Sequence, residues 1–293
     1  EQSGDGFYED GAFIQHTKHP YNGAYGISFI NSIIQVMQIF EGTPHAMPEE
    51  CVEIVLNWIY NGYEPLIFNG GLFAYVRGRE ISRSGTTDNS RGRGMALTMI
   101  KLRELVDEDN QARLNSLIKY ILTKDDTFST PYDGITEIPS LVEIEKLMSD
   151  SSIKAKTDYE IYHQYVNMDR VVQQRPKYAF GVAMHSTRTY NYEMLNEENK
   201  KGWFTASGMT YLYNCEGAQY AQNYWPTVDA YKLAGTTVPV NMTYARNKST
   251  ASAFVGGVEL TKKYGLTCML FDCPSTLYVH ARKSWFMFDN EIV

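Results

Sequence analysis

The sequence predicts an α+β protein, a helical half followed by antiparallel sheet, and three observations carry that expectation. Apolar residues in the first half recur at helical spacing, short β-branched and aromatic runs dominate after residue 168, and the two patterns succeed one another without alternating. Gly26 to Phe40 places Ile27, Ile30, Ile34, Met37 and Phe40 on one stripe, with Asn31, Gln35 and Gln38 on other faces. Pro48 to Tyr60 repeats the pattern, with Pro48 near the helix start and Cys51, Val52, Val55, Leu56 and Ile59 inward. Gly94 to Val106 and Gln111 to Leu122 follow, divided by the polar turn Asp107 to Asn110. These are helical hairpins. Between the second and third helices lies Asn69 to Arg93, with Gly70, Gly71, Gly78, Gly85 and Gly92 and a loop over Ser84 to Ser90. An irregular stretch of that length inside a helical unit points to function. Asp125 to Thr136 reads as a surface loop.

The second half reads as short strands: Tyr178 to Met184, Trp203 to Thr205, Met209 to Asn214, Ser252 to Leu260, Leu266 to Phe271, Leu277 to His280 and Ser284 to Phe288. Turns such as Ala206-Ser207-Gly208 separate them. Two domains are expected, residues 1–167 and 168–293, with the boundary somewhere in Ile161 to Arg175. No internal repeat is visible.

The chain has 293 residues, 34 acids against 27 bases, and a net charge of −7. Its 43% apolar and 21% charged content suits a packed globular chain and excludes a disordered or collagen-like one. An acidic total with no broad basic face argues against nucleic acid as a partner. Polar residues interrupt even the most apolar run, Ile27 to Phe40, so no membrane span is expected. Tyrosine stands out, with 22 copies, and its half-apolar ring suits both β-sheet and a surface that holds sugars. Cys51, Cys215, Cys268 and Cys273 show no CxxC spacing and read as mostly free thiols, although Cys268 and Cys273 could close a small loop.

Three clusters carry chemistry. In the first, His16 and Tyr25 flank a turn built on Pro20, Asn22 and Gly23, so an imidazole and a phenol can converge on one carbon to remove and deliver protons. The second holds Arg77, Arg79, Arg83, Arg91 and Arg93 against only Glu80 and Asp88, a local charge of +3. Arg79 and Arg83, four apart, share one face of a helical turn, where two guanidinium forks can grip a carboxylate or sulfate. The third runs from Tyr190-Asn-Tyr-Glu193 through Asn196-Glu197-Glu198-Asn199 to Trp203, polar groups that can line a cleft at the entrance to the sheet. There is no HExxH, no GxxxxGK[ST] and no GxSxG, so neither metal nor cofactor is expected. The kit fits abstraction of a proton α to a carboxylate, provided positive charge stabilises the enolate and favours the phenolate form of a group with an ordinary pKa near 10. Hydrolysis would need two carboxylates about 5 to 10 Å apart. Adjacent Glu197 and Glu198 would point in different directions.

Taken in order, DGFYEDGAFIQH with YNGAYG, RGREISR, NEENKKGWFTASGMTYLYN, YWPTVDAYKLAGTT, FVGGVEL and KSWFMFDNEIV resemble polysaccharide lyase family 8, the hyaluronate, chondroitin AC and xanthan lyases. The matches run from residue 5 to 293. The resemblance implies a partial α/α toroid followed by antiparallel β-sandwich sheets, and a secreted, monomeric enzyme that cleaves a uronic-acid glycan by β-elimination. It implies that Tyr25 takes the C5 proton and protonates the leaving oxygen, that His16 assists, and that Arg79 and Arg83 bind substrate and hold Tyr25 ionised. Glu198 matches an acid that orients an arginine, and Asn199 stands beside it. Arg77, Tyr21 and Asn22 join Asn199 as expected substrate contacts. The family's catalytic Asn lies upstream of the first residue here, so a truncated portion is expected. Hyaluronan or chondroitin is the expected substrate, with a xanthan-type lyase or a non-catalytic anionic-glycan-binding fragment as alternatives.

Overall fold

The computed structural model describes residues 3–216, 219–221, 223–239, 250–273 and 279–293. Three short strands, β1 (Gly6–Phe7), β2 (Phe13–Gln15) and β3 (His19–Pro20), pair antiparallel in that order. They lead into one π-helical turn, Asn22–Gly26, that continues directly into α1 (Ile27–Phe40). Ile27, Ile30, Ile34 and Met37 of the expected stripe are buried, while Phe40 is exposed. The turn and α1 together make 19 residues of mean hydropathy 1.2, which by length and composition suffices to cross a bilayer. α2 (Glu49–Gly62) buries Val55, Leu56 and Ile59.

The Gly-rich stretch is irregular, as expected, but buried. It forms a tight hairpin of β4 (Ile67–Phe68) and β5 (Gly71–Leu72), then two 3-10 turns, Ala74–Val76 and Gly78–Ser82, most of it buried. α3 (Asp88–Leu102) starts six residues before the sequence suggests. Thr87 accepts the Ser90 N–H at 3.0 Å while Ser90 Oγ accepts the Thr87 N–H at 2.8 Å, a reciprocal cap that draws half of the expected loop into the helix. α4 (Glu108–Lys124) opens on Asp107, whose carboxylate accepts the Asn110 N–H at 2.8 Å. α5 (Ile138–Ser149) had no clean stripe to announce it, since Ile144 and Leu147 are buried but Ile138 and Val142 face solvent. α3 is the central helix, packed on α1, α4, α5 and β5.

The sheet begins at Ile161. β6 (Ile161–Tyr165), β7 (Arg170–Arg175), β8 (Tyr178–Ala183) and β9 (Met209–Tyr213) form a four-stranded antiparallel sheet in sequence order, with Val172 opposite Gly181 and Gly181 opposite Tyr211. All of β7 is buried although its sequence is RVVQQR. Gln174 Nε2 donates to the carbonyls of Pro65 and Ile67 at 2.7 and 2.9 Å, reaching the helical half, and Arg175 Nη2 donates to Lys263 O at 2.8 Å on the other side. Every such bond offsets the cost of burying a polar group. A second antiparallel sheet holds β10 (Phe254–Leu260), β11 (Tyr264–Asp272) and β12 (His280–Met287). Two expected strands need comment. Trp203 to Thr205 is a buried turn, closed by Thr205 N–H to Gly202 O at 3.1 Å. For Leu277 to His280, Leu277 and Tyr278 lie outside the described residues, and His280 opens β12, which absorbs the next expected strand. All four cysteines are free.

Two glycines of α3 separate packing from propensity. A Cβ on Gly92 would lie 1.9 Å from the Gly70 carbonyl oxygen, whereas one on Gly94 meets nothing within 4 Å. Gly92→Ala is expected to destabilise the fold by about 1 to 3 kcal/mol. Gly94→Ala should stabilise it by about 0.5 to 1 kcal/mol. Thermal melts followed by circular dichroism check both, and a drop in both variants would remove helix propensity from the explanation.

Candidate active site

The His16 loop is held from outside. His16 and Thr17 have left-handed backbones, φ 51° and 73°, which cost energy for residues with a Cβ. Asp5 accepts both of their N–H groups, at 3.0 and 2.7 Å, and so fixes the turn. The π-helical turn then projects Tyr25 back toward the loop, and the His16 and Tyr25 rings meet edge to face at 5.1 Å between centroids. The two groups that the sequence pairs are neighbours in space.

What anchors His16 is a residue 177 positions away. Glu193, whose side chain is almost wholly buried, accepts from His16 Nδ1 at 2.6 Å, from the Tyr21 hydroxyl, and from Arg79 Nη1 at 3.1 Å. Burial alone would raise its pKa, but the hydrogen bonds from Tyr21 and His16 and the positive surroundings hold the carboxyl below its ordinary range. The ionised carboxylate can only accept, so the neutral imidazole carries its proton on Nδ1 and keeps a lone pair on Nε2. Tyr21 is the reverse case: burial and the Glu193 hydrogen bond push its phenol well above the usual range, and it stays a neutral donor.

Arg79 is the hub. Its backbone N–H and Nη1 both donate to Tyr21 Oη at 3.1 Å, Nε donates to Glu198 at 2.7 Å, and Nη2 donates to Tyr25 Oη at 3.2 Å. Burial opposes its charge, yet the hydrogen bond to Tyr25 and the neighbouring Tyr21 and Glu193 outweigh it and keep the guanidinium above the ordinary arginine range. Negative charge developing on the Tyr25 oxygen is met by a cation already in place. Gly78 permits this approach, since its φ is +54° and a Cβ there would fall 2.1 Å from the Tyr21 ring.

Arg83 sits four residues on and shares Glu198 with Arg79. Its Nε and Nη2 donate to the two carboxylate oxygens at 2.6 and 3.0 Å, the two-pronged grip that the spacing suggested, closed on the protein's own acid. The Arg83 hydrogen bond, with help from Arg79, lowers the Glu198 pKa. The turn that presents Glu198 has left-handed backbone at Asn196, Glu197 and Asn199, and Asn199 fastens it: its N–H donates to Ser82 Oγ at 3.0 Å and its Nδ2 to Glu193 O at 2.8 Å. Tyr25 and Arg83, with Tyr21, Glu80 and Arg91, line a cavity of about 190 Å³.

Three expected contact residues are buried instead. Arg77 is 1% exposed and commits its guanidinium to Asp88 at 2.6 Å and Thr86 O at 2.8 Å. Asn22 is fully buried and ties Phe13 N–H, Gly11 O and Gly62 O together. Tyr21 is 1% exposed. Arg77 and Asn22 lie outside the lining of the Tyr25–Arg83 cavity, whereas Tyr21 is part of it. The local +3 is cancelled too, because folding adds Asp125, Glu193 and Glu198 to Glu80 and Asp88, one acid for each of the five arginines. Glu193 escaped the sequence reading, named only as the end of a polar run, since no local spacing links it to His16 or Arg79. Among the described residues no group of three or more His, Cys, Asp or Glu side chains is placed to hold a metal.

Two family models cover most of the chain. The polysaccharide lyase family 8 N-terminal alpha-helical domain matches residues 1–120, and the super-sandwich domain of the same family matches residues 161–293. The chain belongs to polysaccharide lyase family 8. It is 41% identical over 291 residues to a xanthan lyase of Bacillus sp. (strain GL1), covering 99% of this chain and 31% of that protein. A hyaluronate lyase of Staphylococcus aureus is 31% identical over 293 residues, covering 99% of this chain and 36% of that protein. The structure of Paenibacillus xanthan lyase matches with a TM-score of 0.93 at 38% identity, over 99% of this chain and 28% of that one. Streptomyces coelicolor A3 chondroitin AC lyase, solved in complex with chondroitin sulphate, matches at 0.90 and 28% identity, over 99% of this chain and 41% of that one. The chain thus spans about a third of the length of these relatives. The fold is that of the family, a helical α/α toroid portion followed by antiparallel β-sandwich sheets.

The Glu193 network has a pH signature. Because its folded-state pKa is depressed, its contribution to stability is present above the ordinary carboxylate range and is lost as pH falls through the folded value. As pH falls from the ordinary carboxylate range through the depressed folded value, the denaturation midpoint of the wild type should fall, and Glu193→Gln should start lower at neutral pH and lose less over the same interval. Parallel pH profiles for the two proteins would show that Glu193 contributes nothing.

Proposed function

We propose that this chain carries the catalytic groove of a lyase that cleaves uronic-acid glycans by β-elimination. The observation that carries the reading is the Arg79 guanidinium donating to the Tyr25 phenol while Glu193 holds both Arg79 and His16. In the proposed step Tyr25 reacts as the phenolate beside the Arg79 cation and takes the proton from C5 of the uronate. The electron pair left on C5 forms the C4=C5 bond as the C4–O bond breaks, and the departing glycosidic oxygen takes a proton from Tyr25. His16, with Nε2 free, accepts a hydrogen bond or the proton itself from the sugar side. Arg83, whose side chain is 41% exposed, faces the glycan's carboxylate or its charged substituents. No water is consumed.

A polymer substrate of this size places the enzyme outside the cell. Of the glycans, hyaluronan and chondroitin suit the sequence reading, but a specific observation favours xanthan: identity reaches 41% to the xanthan lyase against 31% to the staphylococcal hyaluronate lyase over the same 99% of the chain. A reading as a glycan-binding portion without turnover uses the same groove and differs in product alone.

Incubation with xanthan, hyaluronan and chondroitin separates these readings by the ultraviolet absorbance of the conjugated uronate. Tyr25→Phe is expected to lower the elimination rate by roughly 10²- to 10⁴-fold while binding changes only a few fold. A Tyr25→Phe variant of undiminished rate would end the proposed mechanism. Arg83→Ala should weaken glycan binding by about tenfold at low ionic strength, with the difference shrinking as salt is added. Unchanged affinity at low salt would assign Arg83 to surface charge alone.

A further inference from the structure

A second cavity, of about 240 Å³, is lined in part by Ser82 and Asn199, the chain neighbours of Arg83 and Glu198. It falls below the roughly 300 Å³ at which sites for drug-sized molecules begin, so it has room for one ring and not for a run of chain. Its two sides are chemically distinct. Trp225, Pro226, Val228, Ala230 and Leu233 give an apolar wall, and Ser82, Asn199, Lys200, Lys201 and Thr205 give a polar one. A sugar ring has the same division, C–H faces and a rim of hydroxyls.

The aromatic wall is pre-set. Trp225 stands at 90° to Tyr224 with centroids 5.0 Å apart and leans on Tyr220 at 6.5 Å, so its indole is held by packing before any ligand arrives. The polar wall carries unspent charge. Lys200 pairs with Glu197, while the exposed Lys201 has no ion pair among the described residues. Both walls are physically joined to the candidate active site: Ser82 precedes Arg83, Asn199 follows Glu198, and the Asn199 N–H bonds Ser82 Oγ at 3.0 Å. A ring seated against Trp225 therefore rests on the two chain segments that hold the arginine pair.

We propose that this cavity is a second sugar subsite, which stacks one ring of the same glycan on Trp225 and pairs that ring's carboxylate, sulfate or comparable anionic substituent with Lys201. The inference rests on the reading of the chain as a glycan lyase and adds to it a length and charge requirement. An occupant two or more sugars from the reacting bond would raise affinity without touching the reacting atoms.

The test uses fragments of one, two and three repeating units of xanthan and of hyaluronan, with the wild-type chain, Trp225→Ala, Trp225→Phe and Lys201→Ala. For the glycan that the wild type cleaves, Trp225→Ala should raise KM by tenfold or more on the longest fragment, leave kcat within about twofold, and leave the shortest fragment unaffected. Trp225→Phe should recover most of the loss because a flat ring remains. Lys201→Ala should raise KM severalfold at low salt and little at high salt. Equal losses on short and long fragments, or none on either, would overturn the subsite while the lyase reading stands. Absence of cleavage by the wild type on every polymer, with intact folding, would overturn the lyase reading and the subsite with it. Thermal melts of Trp225→Ala guard against a folding defect, and Lys201, being exposed, gives an independent arm.

Discussion

The candidate site depends on one buried carboxylate. Glu193 accepts hydrogen bonds from an imidazole and a phenol of the N-terminal segment and from a guanidinium of the Gly78–Ser82 turn, and so joins the two stretches of chain. An ion that is nearly dry must be surrounded by donors or it will not remain ionised. Satisfying Glu193 thus dictates where His16, Tyr21 and Arg79 stand, and through Arg79 where Tyr25 and Glu198 stand. The site is assembled outward from its least accessible member.

The surrounding fold serves that arrangement. The tight β4–β5 hairpin leads into the two 3-10 turns that carry Arg77, Arg79 and Arg83, and buried Arg77 ties those turns to Thr86 and Asp88 at the start of α3. The sheet contributes the acids. β8 and β9 bracket the segment that holds Glu193 and Glu198, so the helical half supplies bases and phenols while the sheet half supplies their counter-charges. Neither half holds a complete site.

Much of this was legible in the sequence where the signal was local. The stripe of Ile27, Ile30, Ile34 and Met37 marked α1, and the turn between His16 and Tyr25 brought those two rings together as its residues suggested. The four-residue spacing of Arg79 and Arg83 foretold a shared carboxylate, although the one they hold is Glu198. Signals spread across the chain were illegible. β7 reads as polar because its glutamines and arginines find carbonyl partners more than a hundred or nearly ninety residues away. The basic run at Arg77 to Arg93 looked like free charge because three of its acids lie outside the run. Tyr21 and Asn22 looked available because burial is a property of the folded chain, not of a motif.

The pairing of every one of those arginines has an outcome for encounter with a polyanion. With a net charge of −7 and that arginine cluster already compensated, the chain offers little attractive field there at long range, and repulsion beyond roughly a Debye length works against approach. On the proposed reading, capture falls to touching distance, where an incoming carboxylate would trade places with Glu198 on Arg83. Ions in the medium would ease the first meeting even as they loosen the final grip.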